Sequence, residues 1–169
     1  MVRVGILSDT HGTLRLEIET VLQACDYIIH AGDVDRKDVL ERLRQTAPTY
    51  LVRGNNDREW ARYIQRSEHF SIEGVKFFVV HDRRDVPKAL GSRQVVIYGH
   101  SHRYSEETVD GRLWLNPGSA SKPRDGLEIT MAIMEIEDGA YRVEKMAFPL
   151  YPWLKQKHKA ASAETEEGE

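Results

Sequence analysis

The sequence predicts a mixed α/β fold in which two sheets pack together. Three observations predict it. Apolar, β-branched runs alternate with segments of helical spacing over residues 2–54. X-Gly pairs flanked by strand-like residues recur after residue 70. Nearly every strand candidate runs into a polar cluster at its carboxyl end.

The elements follow in order. "VRVGILS" (2–8) is a buried strand by its apolar, β-branched content. "TLRLEIETVLQAC" (13–25) places Leu14, Ile18, Val21, Leu22 and Cys25 on one helical face. "DYIIHAG" (26–32) returns to strand, and "RKDVLERLRQTA" (36–47) repeats the helical spacing through Val39, Leu40 and Leu43. Pro48 stops that helix and "TYLVRG" (49–54) is strand again. Strand, helix, strand, helix, strand implies βαβ units and parallel pairing. Three hairpins follow, over 69–81 around Glu73-Gly74, 105–116 around Asp110-Gly111 and 129–148 around Asp138-Gly139. Between the first two, "QVVI" (94–97) is one more short apolar strand. The second half therefore leans antiparallel. From residue 154 aliphatic residues nearly vanish, so 154–169 reads as a charged, disordered tail behind a domain of residues 1–153.

Bulk properties narrow the function. A net charge of −3 supplies no basic field for nucleic acid or an anionic membrane. One cysteine, Cys25, rules out an internal disulfide and a thiolate metal cluster, so any metal must use N and O ligands. The amino terminus is charged at Arg3 and polar by Ser8, unlike a signal peptide, and no apolar stretch reaches membrane-span length. The expected location is the cytoplasm. Trp60, Tyr63, Trp114, Tyr151 and Trp153 are candidates for a homo-oligomer interface as well as for the core.

The polar strand ends carry the chemistry. They are "DTHG" with Asp9 and His11, "GD" with Asp33, "GNND" with Asn55, Asn56 and Asp57, "HD" with His81, "GHSH" with His100 and His102, and "NPGS" with Asn116 and Ser119. In open α/β sheets the ligand crevice lies beyond the strand carboxyl ends, so strands sharing a sheet would bring these clusters together. In an extended chain residues i and i+2 point to one side, which would aim Asp9 with His11, and His100 with His102, toward common spots. The seven donors Asp9, His11, Asp33, Asn55, His81, His100 and His102 suit Mn, Fe, Zn, Co or Ni. They are too many for one four- or five-coordinate ion and about right for two that share a carboxylate.

Each cluster also has a simpler use. Asp9 or Thr10 would cap the first helix and Asp33 or Asp35 the second. "GNND" and "NPGS" would be turns, and His81 a hydrogen-bonded surface histidine. Separate roles of this kind leave unexplained why four of the seven histidines stand at strand ends. His30 lies in or beside a strand, either as a core residue or as a support for the cluster; His69 and His158 read as exposed.

Taken in order, "DTH", "GD", "GNND", "HD" and "GHSH" resemble the calcineurin-like metallophosphoesterase superfamily, and the chain's length with "NPGSASKPR" resembles its small YfcE-like phosphodiesterase branch. The resemblance covers residues 2 to 148 and implies a four-layer α/β/β/α sandwich with two mixed sheets. It implies one metal on Asp9, His11, Asp33 and His102 and another on Asp33, Asn55, His81 and His100, with Asp33 as the bridge. His100 and His102 would then serve neighbouring ions rather than one. It further implies a phosphodiesterase that hydrolyses a small phosphate ester with a metal-bridging hydroxide, manganese being the favoured ion. Asn56 stands where the superfamily carries a histidine that protonates the leaving group; an amide cannot do so, which favours diesters. Arg83 stands where relatives carry a second histidine and is either a phosphate ligand or a solvated side chain. Asn56, Arg83, Asn116 and Ser119 are candidate substrate-pocket residues. The alternatives are a phosphomonoesterase or nucleotidase on the same site, or a non-catalytic scaffold like the retromer's small subunit.

Overall fold

The structure, a computed structural model, describes residues 1–124 and 126–150. The expected tail, together with Tyr151, Trp153 and His158, lies outside the described residues. In chain order the elements are β1 (Val2–Leu7), α1 (Leu16–Leu22), β2 (Tyr27–His30), α2 (Lys37–Thr46), β3 (Thr49–Leu51), β4 (Ser67–Ile72), β5 (Val75–Val80), β6 (Val95–Ile97), β7 (Tyr104–Val109), β8 (Arg112–Pro117), β9 (Glu128–Glu137) and β10 (Ala140–Pro149). Two 3₁₀ turns, Glu59–Ala61 and Arg83–Asp85, sit in the connections. No helix among the described residues is long and apolar enough to cross a membrane.

The two βαβ units form as the alternation requires: β1 pairs parallel with β2, and β2 with β3. The last hairpin adds its strands antiparallel on the other side of β1, giving the order β10-β9-β1-β2-β3. The second sheet has the order β4-β5-β6-β8-β7. All three hairpins turn on two residues with positive φ, 45° and 83° at Glu73-Gly74, 50° and 76° at Asp110-Gly111, 50° and 78° at Asp138-Gly139. This is the mirror-image turn that matches strand twist, and Asp-Gly tolerates it. The antiparallel expectation holds for the hairpins but not for the middle of that sheet. There β6 pairs parallel with both β5 and β8, as befits a strand with all three residues buried.

The period-2 alternation sends side chains to three apolar layers. Val4 and Ile6 of β1, Ala132, Met134 and Ile136 of β9, and Val75, Phe77 and Val79 of β5 meet between the sheets. Leu7, Ile28, Met131 and Ile133 face the helices, against Ile18, Leu22, Val39, Leu40 and Leu43. Phe78, Val80, Val96 and Tyr98 form the outer face of the second sheet with Leu90. The four-layer sandwich is thus present, with its last layer reduced to the 81–93 connection and one 3₁₀ turn. Of the aromatic candidates for an interface, Trp60 and Trp114 pack against core clusters, while Tyr63 is exposed.

The capping alternative fails for the strand-end carboxylates. α1 starts three residues later than its pattern suggests, and its N-cap is Arg15; that of α2 is Arg36. Neither cap makes a side-chain bond. Asp9, Asp33 and Asp35 are therefore not used to start helices. The strands that carry the polar clusters do not share one sheet. Three come from each, and the two sets of carboxyl ends face each other across the seam between the sheets.

Candidate metal centre

Beyond the sheet, the loop after β1 continues to pair with the loop after β2: Asp9 N–H donates to Gly32 O, His11 N–H to Asp33 O and Gly12 N–H to Val34 O, at 3.0, 3.0 and 2.7 Å. These bonds hold an unusual backbone. Asp9, His11, Asp33, Asp35, His100 and His102 all have positive φ, between 46° and 72°. Each such residue costs about 1 kcal/mol or more and survives only where its surroundings over-determine it. The extended-chain argument for residues i and i+2 is thereby corrected: left-handed turns, not strand geometry, aim these side chains.

The side chains converge. His102 Nε2 lies 3.0 Å from His11 Nε2 and 3.3 Å from Asp9 Oδ1. Asp9 Oδ1 is also 3.7 Å from His11 Nε2 and 3.8 Å from His81 Nε2. Asp33 Oδ2 lies 3.2 Å from His81 Nε2 and 3.9 Å from His11 Nε2. Two triplets are tight enough for one ion each: Asp9, His11 and His102, and Asp9, Asp33 and His81. Asn55 and His100 stand at the rim and pair with each other, Asn55 Oδ1 to His100 Nδ1 at 3.1 Å; the His100 ring centroid is 5.2 Å from that of His81. His100 N–H donates to Asp9 Oδ2 at 3.0 Å. His102 and His100 therefore face different sides of the cluster.

Hydrogen bonds orient the imidazoles. His81 Nδ1 lies 2.7 Å from Ala31 O and His102 Nδ1 2.6 Å from Lys122 O; a carbonyl only accepts, so both Nδ1 atoms carry the proton. His11 Nδ1 is held by Asp35 Oδ2 at 2.8 Å. Three Nε2 atoms then point into a space lined by two carboxylates. Asp9 Oδ1 and His81 Nε2 are buried there without any hydrogen-bond partner. Buried polar atoms are almost always paired, so this set asks for a cation. A proton on His11 answers in part. The Asp9 carboxylate and then Asp35 raise its pKa to about 9. Burial works against the Asp9 charge, yet His102, His11 and His81 hold its carboxyl well below the usual carboxylate range. The N and O donors fit a borderline divalent ion.

Supporting residues surround this set. Asp57, buried at the end of "GNND", accepts from Asp33 N–H and Gly54 N–H at 2.9 Å each, and from Asp35 N–H at 2.8 Å. Burial pushes its pKa up. Ser8 Oγ donates to Asp9 Oδ2 at 2.7 Å. His30 takes the supporting place. Fully buried, it accepts from Gly32 N–H on Nδ1 and touches Thr10 Oγ1 through Nε2 at 3.0 Å; burial lowers its pKa to about 4, so it is neutral.

Asp35 was visible in the sequence only as a possible helix cap. Its carboxylate on His11 fixes the ring and would strengthen the imidazole toward a metal ion. Asp35→Asn is expected to weaken Mn²⁺ binding about 10- to 100-fold, read by isothermal titration, without unfolding the chain. Unchanged affinity would count against this role.

The candidate pocket residues fare differently. Asn56 N–H donates to Asp33 Oδ1 at 2.8 Å, which keeps it at the cleft. Arg83 is exposed and paired: its guanidinium bonds Glu107 at 2.8 Å, donates to Tyr98 Oη at 3.1 Å and lies over Trp114. Asn116 and Ser119 are buried and occupied within the fold. Asn116 Nδ2 donates to Gly99 O and Ser119 Oγ to Asp9 O, so both brace the loops from behind.

Residues 2–139 match the model of the calcineurin-like phosphoesterase superfamily domain. A probable metallophosphoesterase of Methanothermobacter thermautotrophicus is 35% identical over 136 residues, covering 72% of this chain and 78% of that protein. A phosphodiesterase of Methanocaldococcus jannaschii is 30% identical over 161 residues, covering 83% and 96%. Among solved structures, Vps29 of Chaetomium thermophilum superposes with a TM-score of 0.71 over 88% of this chain and 99% of its own, at 15% identity, a likeness of fold alone.

Proposed function

The chain belongs to the calcineurin-like phosphoesterase superfamily and is a hydrolase of the metallophosphoesterase kind; from that premise we propose that it is a phosphodiesterase acting on a small phosphate diester at a two-metal site. Asp9, His11, Asp33, Asn55, His81, His100 and His102 would hold the ions, with manganese the expected metal. The observation that carries the reading is the pair of buried, partnerless atoms, Asp9 Oδ1 and His81 Nε2, facing the Nε2 atoms of His11 and His102. When bound, such ions supply Lewis acidity toward a phosphoryl oxygen and toward water.

The chain's own residues do the rest. Asp9 and Asp33 provide the negative charge that makes the cleft a cation site. Their neighbours Ser8 and Asn56 fix the carboxylate planes through bonds to Asp9 Oδ2 and Asp33 Oδ1. Ala31 O, Lys122 O and Asp35 lock three imidazoles with Nε2 inward. Hydrolysis puts the hydroxyl of water on phosphorus and its proton on the departing oxygen. Asn56 cannot supply that proton, so leaving groups that depart without one are favoured. The free, buried Cys25 fits a reducing compartment, and we place the enzyme in the cytoplasm.

The test is metal-stripped protein reloaded with Mn, Fe, Zn, Co or Ni. Each form is assayed on bis(p-nitrophenyl) phosphate and p-nitrophenyl phosphate, which share a leaving group. Faster diester hydrolysis with at least one ion, Mn foremost, is expected. Preference for the monoester would move the assignment to a phosphatase or nucleotidase. Metal uptake without turnover on either would favour the scaffold, the second reading to which the Vps29 fold gives some weight. Against the scaffold, every one of the seven positions carries a competent donor.

A further inference from the structure

Asp82 follows His81 at the end of β5 and lies outside the seven-donor set. Its carboxylate is nevertheless fixed. It caps the 3₁₀ turn Arg83–Asp85, accepting from Arg84 N–H on Oδ1 at 2.9 Å. The Arg84 guanidinium closes on the same group, with Nε at 3.2 and 3.1 Å from the two oxygens and Nη2 at 2.6 Å from Oδ2. An ionised carboxylate accepts about four hydrogen bonds. Arg84 brings three donors, its N–H, Nε and Nη2. Oδ2 also faces the rim of the cleft, 3.7 Å from His100 Nε2. The parallel pairing of β5 with β6 brings the two residues together, and Gly99 N–H, donating to His81 O at 2.9 Å, ties their loops. The Arg84 side chain is exposed and its charge is screened by water, whereas the Asp82 carboxylate is mostly covered.

His100 is turned the other way from the remaining imidazoles of the cluster. His11, His81 and His102 aim Nε2 inward and rest Nδ1 on a carboxylate or a carbonyl. In His100 it is Nδ1 that meets a candidate donor, Asn55 Oδ1 at 3.1 Å, while Nε2 is on the Asp82 side. Its side chain is 41% exposed, while those of the other three are 17% exposed or less, so burial holds it least. Resting on the two-metal reading, we propose that Asp82 is a positioning residue: its carboxylate accepts a hydrogen bond from His100 Nε2–H and so presents Nδ1, beside Asn55, to the ion at the rim. A neutral imidazole carries one ring proton, and with that proton on Nε2 the ring has Nδ1 as its acceptor. A carboxylate in this place sets the tautomer, holds the ring against rotation and strengthens it toward a metal ion. At 3.7 Å the contact is longer than a formed hydrogen bond, so its effect belongs at the low end of the usual range for such partners.

The experiment titrates the metal-stripped full chain with Mn²⁺ by calorimetry, in the wild type, Asp82→Asn, His100→Ala and the double variant. Asparagine is as good an N-cap as aspartate, so Asp82→Asn removes the charge and keeps the turn. Mn²⁺ binding at one of the two sites should weaken about tenfold in Asp82→Asn. In the His100→Ala background the same change should cost less than about twofold, because the group it acts on is gone. Turnover of bis(p-nitrophenyl) phosphate gives a second readout. The Mn²⁺ concentration for half-maximal activity should rise about tenfold in Asp82→Asn, with kcat at saturating Mn²⁺ and KM for the diester within about threefold of wild type. Wild-type Mn²⁺ affinity in Asp82→Asn would overturn the proposal, as would an equal loss in both backgrounds. A fall in kcat that saturating Mn²⁺ does not restore would make Asp82 a merely structural residue and overturn it too. All three results leave the two-metal reading standing. If the wild type binds fewer than two ions, that reading itself fails and takes the proposal with it.

Discussion

Asp33→Asn is expected to reduce diester hydrolysis by a factor on the order of 10³, the scale seen when one key electrostatic partner of a transition state is removed. The structure gives the reason. Asp33 Oδ1 is fixed by Asn56 N–H at 2.8 Å, which leaves Oδ2 to face His81 Nε2 at 3.2 Å and His11 Nε2 at 3.9 Å. An asparagine of the same shape would keep its oxygen on Asn56 and turn its amide N–H₂ toward those two nitrogens. An acceptor becomes a donor, and the lone pairs that ask for a cation receive hydrogen bonds instead. Fold stability should therefore hold or rise while bound metal falls. Metal content by elemental analysis, melting temperature and turnover together read this out. A variant that retains most of its activity with metal in excess would remove Asp33 from the centre of the site. Asp9→Asn is the matching control, because Asp9 Oδ1 reaches His102, His11 and His81.

Gly54→Ala should destabilise the chain by about 3 kcal/mol or more, at the upper end of overpacking costs. For a chain of this size that is a fall in melting temperature of about 6–12 °C. The φ of Gly54 is unremarkable; the cause is space. A Cβ there would overlap Asp33 Oδ1 and the Asp33 backbone nitrogen, and would lie 2.8 Å from Asp33 Cγ. That nitrogen cannot retreat, because Asp57 Oδ2 holds it together with Gly54 N–H, both at 2.9 Å. The added methyl must pry apart the two loops that position Asp33. Gly111→Ala separates steric from conformational cost: nothing lies within 4 Å of a Cβ there, but φ is 76°, so about 1 kcal/mol is expected. Equal melting temperatures for the two variants would show that the contact between the loops after β2 and β3 is softer than it looks. Gly99 is built on the same principle, since a Cβ there would overlap Ser8 Oγ and lie 2.6 Å from Asp9 Oδ2. The glycines of "GNND" and "GHSH" thus exist so that carboxylates can lie against backbone.

Much of this could be read from the chain in order. The two βαβ units, the three hairpin turns and the strand ends bearing Asp9, Asp33, His81 and His102 follow from local physics. Side-chain period, the stop at Pro48 and the ability of Asp-Gly to adopt positive φ act over a few residues and leave their mark in a few letters. Other features left no such mark. Arg83 could not be assigned because its partner Glu107 is 24 residues away, on β7. That Asn116 and Ser119 are buried, bonded to Gly99 O and Asp9 O, was not legible either. Asp35 and Asp57 looked like a cap and a turn, because their partners, His11 and the backbone of Asp33 and Asp35, are 22 to 24 residues distant.

By itself, then, the sequence determined which residue types stand at the strand ends and that they could bind metal. Only the tertiary structure decided which sheet each strand joins, that six of the polar residues take left-handed backbone to aim inward, and which imidazole nitrogen faces the cleft. The reason is range. Propensity and periodicity are properties of neighbouring residues. A site in which Asp9 lies 3.3 Å from His102, 93 positions further along, exists only after the sheets have packed and their buried polar atoms have found the partners that remain.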